Sequence, residues 1–136
     1  MLDEDFLFEV FGPFGRVRLK RMFGGRAIYL DGLVVALEIG EVVYLKADAV
    51  TEDAFRDEGL DQFVYEAKGR VVRLPYWRCP EAAFDDAEAL RPWIERARGA
   101  SLRAEAAKAA KGPPKPRGPA KRPKSKTTPG SGQPTA

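Results

Sequence analysis

The sequence contains no histidine and only one cysteine, and these absences exclude many familiar catalytic and metal-binding sites. Without histidine, the chain cannot form a Ser-His-Asp triad or a Cys-His pair, and it cannot bind zinc through imidazole. The thiol of Cys79 alone cannot form an internal disulfide or a thiolate zinc site. Paired carboxylates stay open as catalytic groups, but no acidic residue falls in a recognisable motif. We therefore predict a protein that is not an enzyme and has no cofactor or metal.

Long hydrophobic runs are also missing from the sequence. The longest apolar run covers only residues 33–37, whereas a membrane-spanning helix needs about 20 apolar residues. The first residues are acidic where a targeting peptide would be basic. These observations predict a cytoplasmic protein with no membrane partner.

The charged residues divide the chain into two parts. Residues 1–102 hold 14 basic and 19 acidic groups, whereas residues 103–136 hold nine basic groups and one acidic group. Most of the eleven prolines lie in residues 112–136, which lack Val, Ile, Leu, Phe, Tyr and Trp. Such a segment cannot bury enough apolar surface to offset a backbone ordering cost of about 1–2 kcal/mol per residue. We predict one domain over residues 1–102, with its last helix extending to about residue 111, and a disordered basic tail.

Most of the domain has the pattern of β-hairpins. Short runs of β-branched and aromatic residues alternate with dipeptides that favour tight turns with positive φ. These dipeptides are Asp31-Gly32, Gly40-Glu41 and Lys68-Gly69. Pro75 is predicted to end the last strand because it cannot donate to a ladder. The pattern indicates an α+β fold with an antiparallel sheet of five or six strands, built as meander hairpins.

Three helices are predicted around this sheet. The first spans residues 3–11 with Asp3 as its N-cap, and the second lies within residues 49–59 with Gly59 past its end. A third is predicted to be capped by Asp85 with Glu88, and Pro92 predicts a kink or a late start. Its apolar face is predicted to comprise Leu90, Trp93 or Ile94, and Ala97. We expect the helices to be segregated to one face or end of the sheet.

Two local features allow a chemical and a structural interpretation. Cys79 follows Arg78, which could lower the pKa of the thiol, but we interpret Cys79 as a packing residue. The glycine-rich segment Gly24-Gly25 lacks the residues of a phosphate-binding loop. We interpret it as a bulge or bend in the sheet. A small-molecule cleft beside it is the less favoured alternative.

Aromatic and basic residues are interleaved along the predicted strands. Tyr29, Tyr44 and Tyr65, together with Tyr76 and Trp77, could present rings beside basic groups. The basic groups are Lys46 and Arg73. Such a surface can stack single-stranded bases. We favour the interpretation that these aromatics build the core and its rim, since the domain is net acidic.

Several short motifs follow one another along most of the predicted domain. They are Arg21-Met22-Phe23-Gly24-Gly25, Ile28-Tyr29-Leu30-Asp31-Gly32, Val35-Ala36-Leu37, Val43-Tyr44-Leu45-Lys46, Phe63-Val64-Tyr65, Leu74-Pro75-Tyr76-Trp77, Pro80, and Leu90, Trp93 and Ala97 of the last helix. In this order they resemble the N-terminal domain of the TfoX (Sxy) family of bacterial competence regulators. The residues expected to have structural or partner-binding roles are Arg21, Met22, Phe23, Gly24, Gly25, Tyr29, Asp31, Gly32, Tyr44, Lys46, Tyr65, Pro75, Tyr76 and Trp77.

The resemblance implies an antiparallel α+β domain with no established catalytic residue or cofactor. It also implies a regulatory or adaptor role, because family members with a known role resemble transcriptional co-activators that work with the cAMP-receptor protein. Those regulators carry a second, C-terminal domain, and here the basic tail stands in its place. The leading hypothesis is therefore a single-domain adaptor that binds a transcription-related protein through a surface containing Tyr76 and Trp77.

The alternative hypothesis is sequence-independent nucleic-acid binding through the tail. The cations expected to contact phosphates are Lys108, Lys111, Lys115, Arg117, Lys121, Arg122, Lys124 and Lys126. The competing interpretation is that the tail only keeps the protein in solution and has no fixed partner.

Overall fold

The protein consists of a six-stranded antiparallel sheet and three helices. The computed structural model describes residues 2–22 and 24–110. The strands are β1 (Val17–Met22), β2 (Gly25–Leu30), β3 (Leu33–Ile39), β4 (Val42–Lys46), β5 (Gln62–Ala67) and β6 (Arg70–Arg78). The helices are α1 (Glu4–Phe11), α2 (Glu52–Asp57) and α3 (Ala87–Ala110), with 3-10 segments at Gly12–Phe14 and Glu81–Asp85. These elements confirm the predicted α+β class and the placement of the helices along the chain.

The three predicted hairpin turns are present. At each turn both central residues have positive φ, which is the geometry that matches the right-handed twist of the flanking strands. The φ values are 50° and 85° at Asp31 and Gly32, 59° and 66° at Gly40 and Glu41, and 53° and 75° at Lys68 and Gly69. A further hairpin joins β1 to β2, with Met22 opposite Gly25.

The order of the strands is β1-β2-β3-β4-β6-β5, so the meander stops at β4. β6 pairs with β4 through residues 76–78, and β5 becomes the outer strand. The prediction that Pro75 ends the last strand is therefore wrong. The Pro75 carbonyl accepts a hydrogen bond from Ala47, just beyond the end of β4. On this side Pro75 has no N–H to donate, but the ladder with β4 ends at Lys46, so the strand can continue through the proline.

One hydrophobic core lies between the sheet and the helices. Every helix and 3-10 segment among the described residues contributes to it. The contributing helical residues are Leu7, Val10 and Phe11 of α1, Phe14, Phe55 of α2, Ala83, and Leu90, Ile94 and Ala97 of α3. The strands contribute alternate side chains, including Ile28, Leu45 and Trp77. The expected segregation of the helices to one face of the sheet is confirmed.

The helix ends follow local chemistry. The Asp3 carboxylate accepts a hydrogen bond from the backbone of Asp5 at 3.1 Å, which caps α1 as predicted. At α3 the capping carboxylate belongs to Asp86 rather than Asp85, and it accepts from the backbone of Glu88 at 3.0 Å. Because α3 begins at Ala87, five residues before Pro92, the predicted late start is wrong.

The compact body of the protein spans Met1–Glu105, and α3 runs on to Ala110. The predicted disordered tail, residues 112–136, lies outside the described residues. No helix within the described part of the chain is both long and apolar enough to cross a membrane.

Candidate functional site

The face of the sheet opposite the helices is the most distinctive surface of the molecule. Successive side chains of a strand point to opposite faces of the sheet. Leu45 and Trp77 point into the core, so the residues next to them in β4 and β6 point to this second face. We call it the open face. It comprises Arg18, Lys20, Tyr29, Leu37, Tyr44, Lys46, Phe63, Tyr65, Tyr76 and Arg78.

Aromatic rings form a connected layer on the open face. The ring centroids of Tyr44 and Phe63 are 4.9 Å apart, and those of Phe63 and Tyr65 are 6.0 Å apart. The ammonium group of Lys46 lies 5.2 Å from the ring centroid of Tyr76, which is a cation–π geometry. Tyr65 is 40% exposed, and the other rings are half-buried. These rings present flat, partly accessible surfaces on a sheet rather than forming a core.

The charged groups at strand positions of the open face are all basic. Arg18 and Lys20 are exposed on β1, and together with Tyr29 they line a cavity of about 180 Å³. Lys46 and Arg78 lie further across the sheet, where Arg78 is paired with Glu81 at 3.3 Å. None of the described strand residues on this face is acidic.

Partial burial changes the ionisation of two open-face groups. Desolvation raises the pKa of Tyr76, and the neighbouring Tyr29 adds to that effect. Desolvation lowers the pKa of Lys46, although the carboxylates of Asp48 and Glu105 oppose this shift. Both shifts have burial as their main cause, which indicates that these side chains pack closely against their neighbours.

Tyr76 and Trp77 lie on opposite faces of the sheet, so they do not form the single surface that was predicted. Adjacent strand residues point to opposite faces, so Trp77 is 7% exposed in the core while Tyr76 lies on the open face. The expectation that all these aromatics build the core and its rim is therefore right for Trp77 only. Arg73, which was expected beside them, is paired with Val64 on the other face of the β5–β6 hairpin.

The glycine-rich motif forms the β1–β2 turn rather than a bulge or bend. Arg21 and Met22 end β1, Gly24 has φ 75°, and Gly25 begins β2. A Cβ on Gly25 would lie 2.0 Å from the carbonyl oxygen of Glu38, so β3 occupies the space beside this glycine. Phe23 lies outside the described residues.

Sequence reasoning missed a buried ion pair beside the N-terminal segment. Arg26 Nε donates to Glu38 Oε1 at 3.0 Å, and the other Glu38 carboxylate oxygen accepts from the Leu2 backbone at 2.8 Å. The Arg26 guanidinium also donates to the Leu2 carbonyl oxygen. Glu38 is fully buried, and Arg26 is 6% exposed. The available signal was two charged residues inside otherwise apolar strands, and we interpret the pair as a structural clamp.

The end of the β5–β6 hairpin projects beyond β4, whose last paired residue is Lys46 opposite Tyr76. We call residues 64–73 the arm. Val64 and Val71 lie on one face of the arm and are 43% and 60% exposed. β5 is also an edge strand that pairs only with β6. The arm therefore combines exposed apolar side chains with unpaired backbone groups.

The remaining predicted site residues give no further cluster. Asp31 and Gly32 form the β2–β3 turn, and Lys108 lies on α3. The other seven tail cations lie outside the described residues. Among residues 2–22 and 24–110, no three Cys, Asp or Glu side chains come together to hold a metal ion.

Comparison with known proteins identifies the family of the chain. No curated protein matches it. The family model described as the TfoX N-terminal domain matches residues 9–101 of the 136-residue chain. This match runs from α1 through the whole sheet into α3. The predicted resemblance is confirmed, and the chain belongs to the TfoX N-terminal domain family.

Proposed function

We propose that this chain is a non-enzymatic regulatory adaptor that binds a transcription-related protein through the arm. Membership of the TfoX N-terminal domain family supports a regulatory or adaptor role. The absence of histidine from the sequence supports the non-enzymatic part of the proposal. Burial of the single thiol, which raises the pKa of Cys79 to about 12, supports it as well.

The observation that carries the proposal is the exposed apolar edge of the arm. The opposite edge strand, β1, carries Arg18, Lys20 and Arg21, and charges of this kind discourage pairing with another strand. β5 carries a single charged residue, Glu66. An extended segment of a partner could add to this edge, with its side chains alternating against Val64 and Val71. The basic Arg70 and Arg73 on the adjacent strand favour a segment that contains acidic residues.

A binding titration with purified candidate partners tests this function. The candidates are the cAMP-receptor protein and RNA polymerase from a bacterium that encodes the chain. The double substitution Val64→Ser and Val71→Ser is expected to weaken the complex about tenfold or more, because it removes central apolar contacts. The matched control is Val50→Ser, since Val50 is 69% exposed and lies in the segment between β4 and α2 rather than in the arm. Equal affinity of the arm variant and the control would overturn the proposed use of the arm.

The tail supplies a second candidate function, which its charge favours. Residues 103–136 carry nine basic groups and one acidic group. If about six of these cations contact phosphates of duplex DNA, log K should fall against log salt with a slope of about −5. A full-length variant in which the tail cations are replaced by Gln is expected to lose this salt-dependent binding. Unchanged duplex affinity in that variant would contradict the tail hypothesis.

A further inference from the structure

The described strand positions of the open face carry charged residues of one sign only. Eleven of the 20 acidic residues lie in the helices and 3-10 segments, and residues 3–9 alone hold four acidic residues. The open face carries Arg18, Lys20, Lys46 and Arg78 and no acidic strand residue among those described. The net acidic composition of the domain therefore conceals one locally basic surface, and that surface would attract a polyanion.

The aromatic rings on the open face impose a second requirement on the ligand, in addition to negative charge. Tyr29, Tyr44, Phe63, Tyr65 and Tyr76 are spread over β2, β4, β5 and β6. Neighbouring strands are about 4.8 Å apart, so four strand intervals place rings over a span of about 19 Å. A ligand that satisfies both the rings and the cations must carry planar groups along an anionic backbone. A single-stranded nucleic acid has this chemistry, because its bases can stack on the rings while its phosphates contact the cations.

Other polyanions could bind the cations of this surface but could not stack on its rings. A duplex keeps its bases stacked inside, so it could use the cations but not the rings. An acidic peptide could use the cations, but its carboxylates would leave the rings without stacking partners. We propose that the open face binds single-stranded nucleic acid, with Arg18 and Lys20 contacting phosphates and Tyr29, Tyr44 and Tyr65 stacking on bases. This site shares Tyr65 with the arm but lies on the face opposite Val64 and Val71, and it does not include the tail.

A fluorescence anisotropy titration with labelled oligothymidylate of about 12 nucleotides tests the site, since single-strand sites cover about 4–16 nucleotides per domain. The protein is the full-length chain whose tail cations are replaced by Gln, so that tail binding does not hide binding by the sheet. The comparison ligands are an abasic oligomer of the same length, a duplex and polyglutamate. We expect the single strand to bind about tenfold or more tightly than each of them. Equal binding of the abasic oligomer or the duplex would overturn base stacking, and equal binding of polyglutamate would assign the face to an acidic protein segment.

Substitutions on the edge strand test the position of the site. Replacing Arg18 and Lys20 by Gln should weaken single-strand binding about 25-fold near 0.1 M salt, because each phosphate contact contributes about 0.7 to the salt slope. The slope itself should become shallower by about 1.4. Arg21→Gln is the matched control, because this exposed neighbour on β1 points to the other face. An equal loss in the control would overturn the assignment to the open face.

A ring substitution tests stacking separately from charge. Tyr65→Leu preserves an apolar side chain but removes the ring, and it should weaken binding of oligothymidylate about fivefold or more. Binding of the abasic oligomer should not change, and circular dichroism checks that the variant folds. An equal effect on both oligomers would contradict stacking. The arm variant with Val64→Ser and Val71→Ser is expected to bind the single strand normally, so failure of this site and failure of the proposed adaptor function can be distinguished.

Discussion

At the scale of single residues, Gly25 shows how a backbone contact limits the choice of amino acid. Its position in β2 lies so close to β3 that a Cβ would be 2.0 Å from the Glu38 carbonyl oxygen. Gly24, the preceding residue, has open space around it and requires glycine only because its φ is 75°. Two adjacent glycines are thus present for different physical reasons, close packing and a left-handed backbone.

Alanine substitutions should separate these two reasons. Gly25→Ala should lower the free energy of unfolding by about 3 kcal/mol, because β2 and β3 must move apart to accommodate the methyl group. Gly24→Ala should cost about 1 kcal/mol, which is the penalty for a left-handed alanine. Urea denaturation of both variants measures the difference. An equal or smaller loss for Gly25→Ala would show that the close approach is not rigid.

The Cys79 thiol is 2% exposed, and burial raises its pKa to about 12. Since only the thiolate reacts, Cys79 should react with a thiol-specific disulfide reagent near pH 8 more than about 1,000-fold more slowly than an exposed cysteine. The same protein in denaturant is the control, where the thiol should react at the rate of a free cysteine. Rapid stoichiometric labelling of the folded protein would contradict the interpretation of Cys79 as a packing residue.

At the scale of secondary-structure elements, an irregularity between β2 and β3 determines which side chains enter the core. The register shifts by one residue beside Ile28 and Tyr29. Strict alternation from the Asp31-Gly32 turn would place Glu38 and Val34 on the same face. After the shift, Glu38 instead pairs with Arg26 on the helix side. The buried clamp therefore depends on the bulge.

Breaking the clamp from one side should destabilise the protein more than removing it completely. Glu38→Gln leaves the buried Arg26 with only the exposed Glu4 carboxylate, 3.7 Å away, and the expected loss in the free energy of unfolding is about 3 kcal/mol. The double variant with Arg26→Met and Glu38→Met should lose less, because no uncompensated charge remains in the core. Chemical denaturation of both variants measures these losses. A double variant less stable than the single one would contradict this assignment of the energy.

At the scale of the whole molecule, two arginines of α3 hold the helix to distant turns. Arg98 donates to the Phe14 carbonyl oxygen at 2.7 Å and contacts Asp31 at 3.4 Å. Arg103 contacts the Asp48 carboxylate with N–O distances of 2.6 and 3.1 Å. Because the Arg103 contact lies beyond residue 102, the predicted domain boundary would remove it. A truncation that separates the body from the tail should therefore follow Ala110, where α3 ends.

The contact between Arg103 and Asp48 should make stability depend on acid pH. The Arg103 hydrogen bond holds the pKa of Asp48 below its usual value. A depressed folded-state pKa stabilises the protein above the unfolded-state pKa of about 4, and this contribution is lost as the pH falls through the folded-state value. Asp48→Asn should cost about 1 kcal/mol near neutral pH, and the difference from wild type should shrink below about pH 4.

Urea denaturation at several pH values measures this dependence. Asp57→Asn is the control, because Asp57 is an exposed carboxylate at the end of α2 and its replacement should change stability by less than about 0.5 kcal/mol. A loss in Asp48→Asn that does not change with pH would indicate that the carboxylate acts only as a hydrogen-bond acceptor for its local turn.

Much of the open face was visible in the sequence as residue types but not as a surface. Tyr29, Tyr44 and Tyr76 were identified together with Lys46, yet their separation from Trp77 required the strand register. Arg18 and Lys20 carried no signal of their own, because basic residues on an edge strand are common. Only the antiparallel pairing of β1 with β2 places Arg18 beside Tyr29.

The sequence by itself determined the features that depend on neighbouring residues. The Asp31-Gly32 turn, the Asp3 cap and the glycine after α2 follow from the backbone preferences of a few adjacent residues. The tertiary structure alone decided the pairing of β4 with β6, the bulge that buries Glu38 and the separation of Tyr76 from Trp77. These features depend on contacts between residues far apart in the chain. Their energies come from packing and register, which local preferences do not specify.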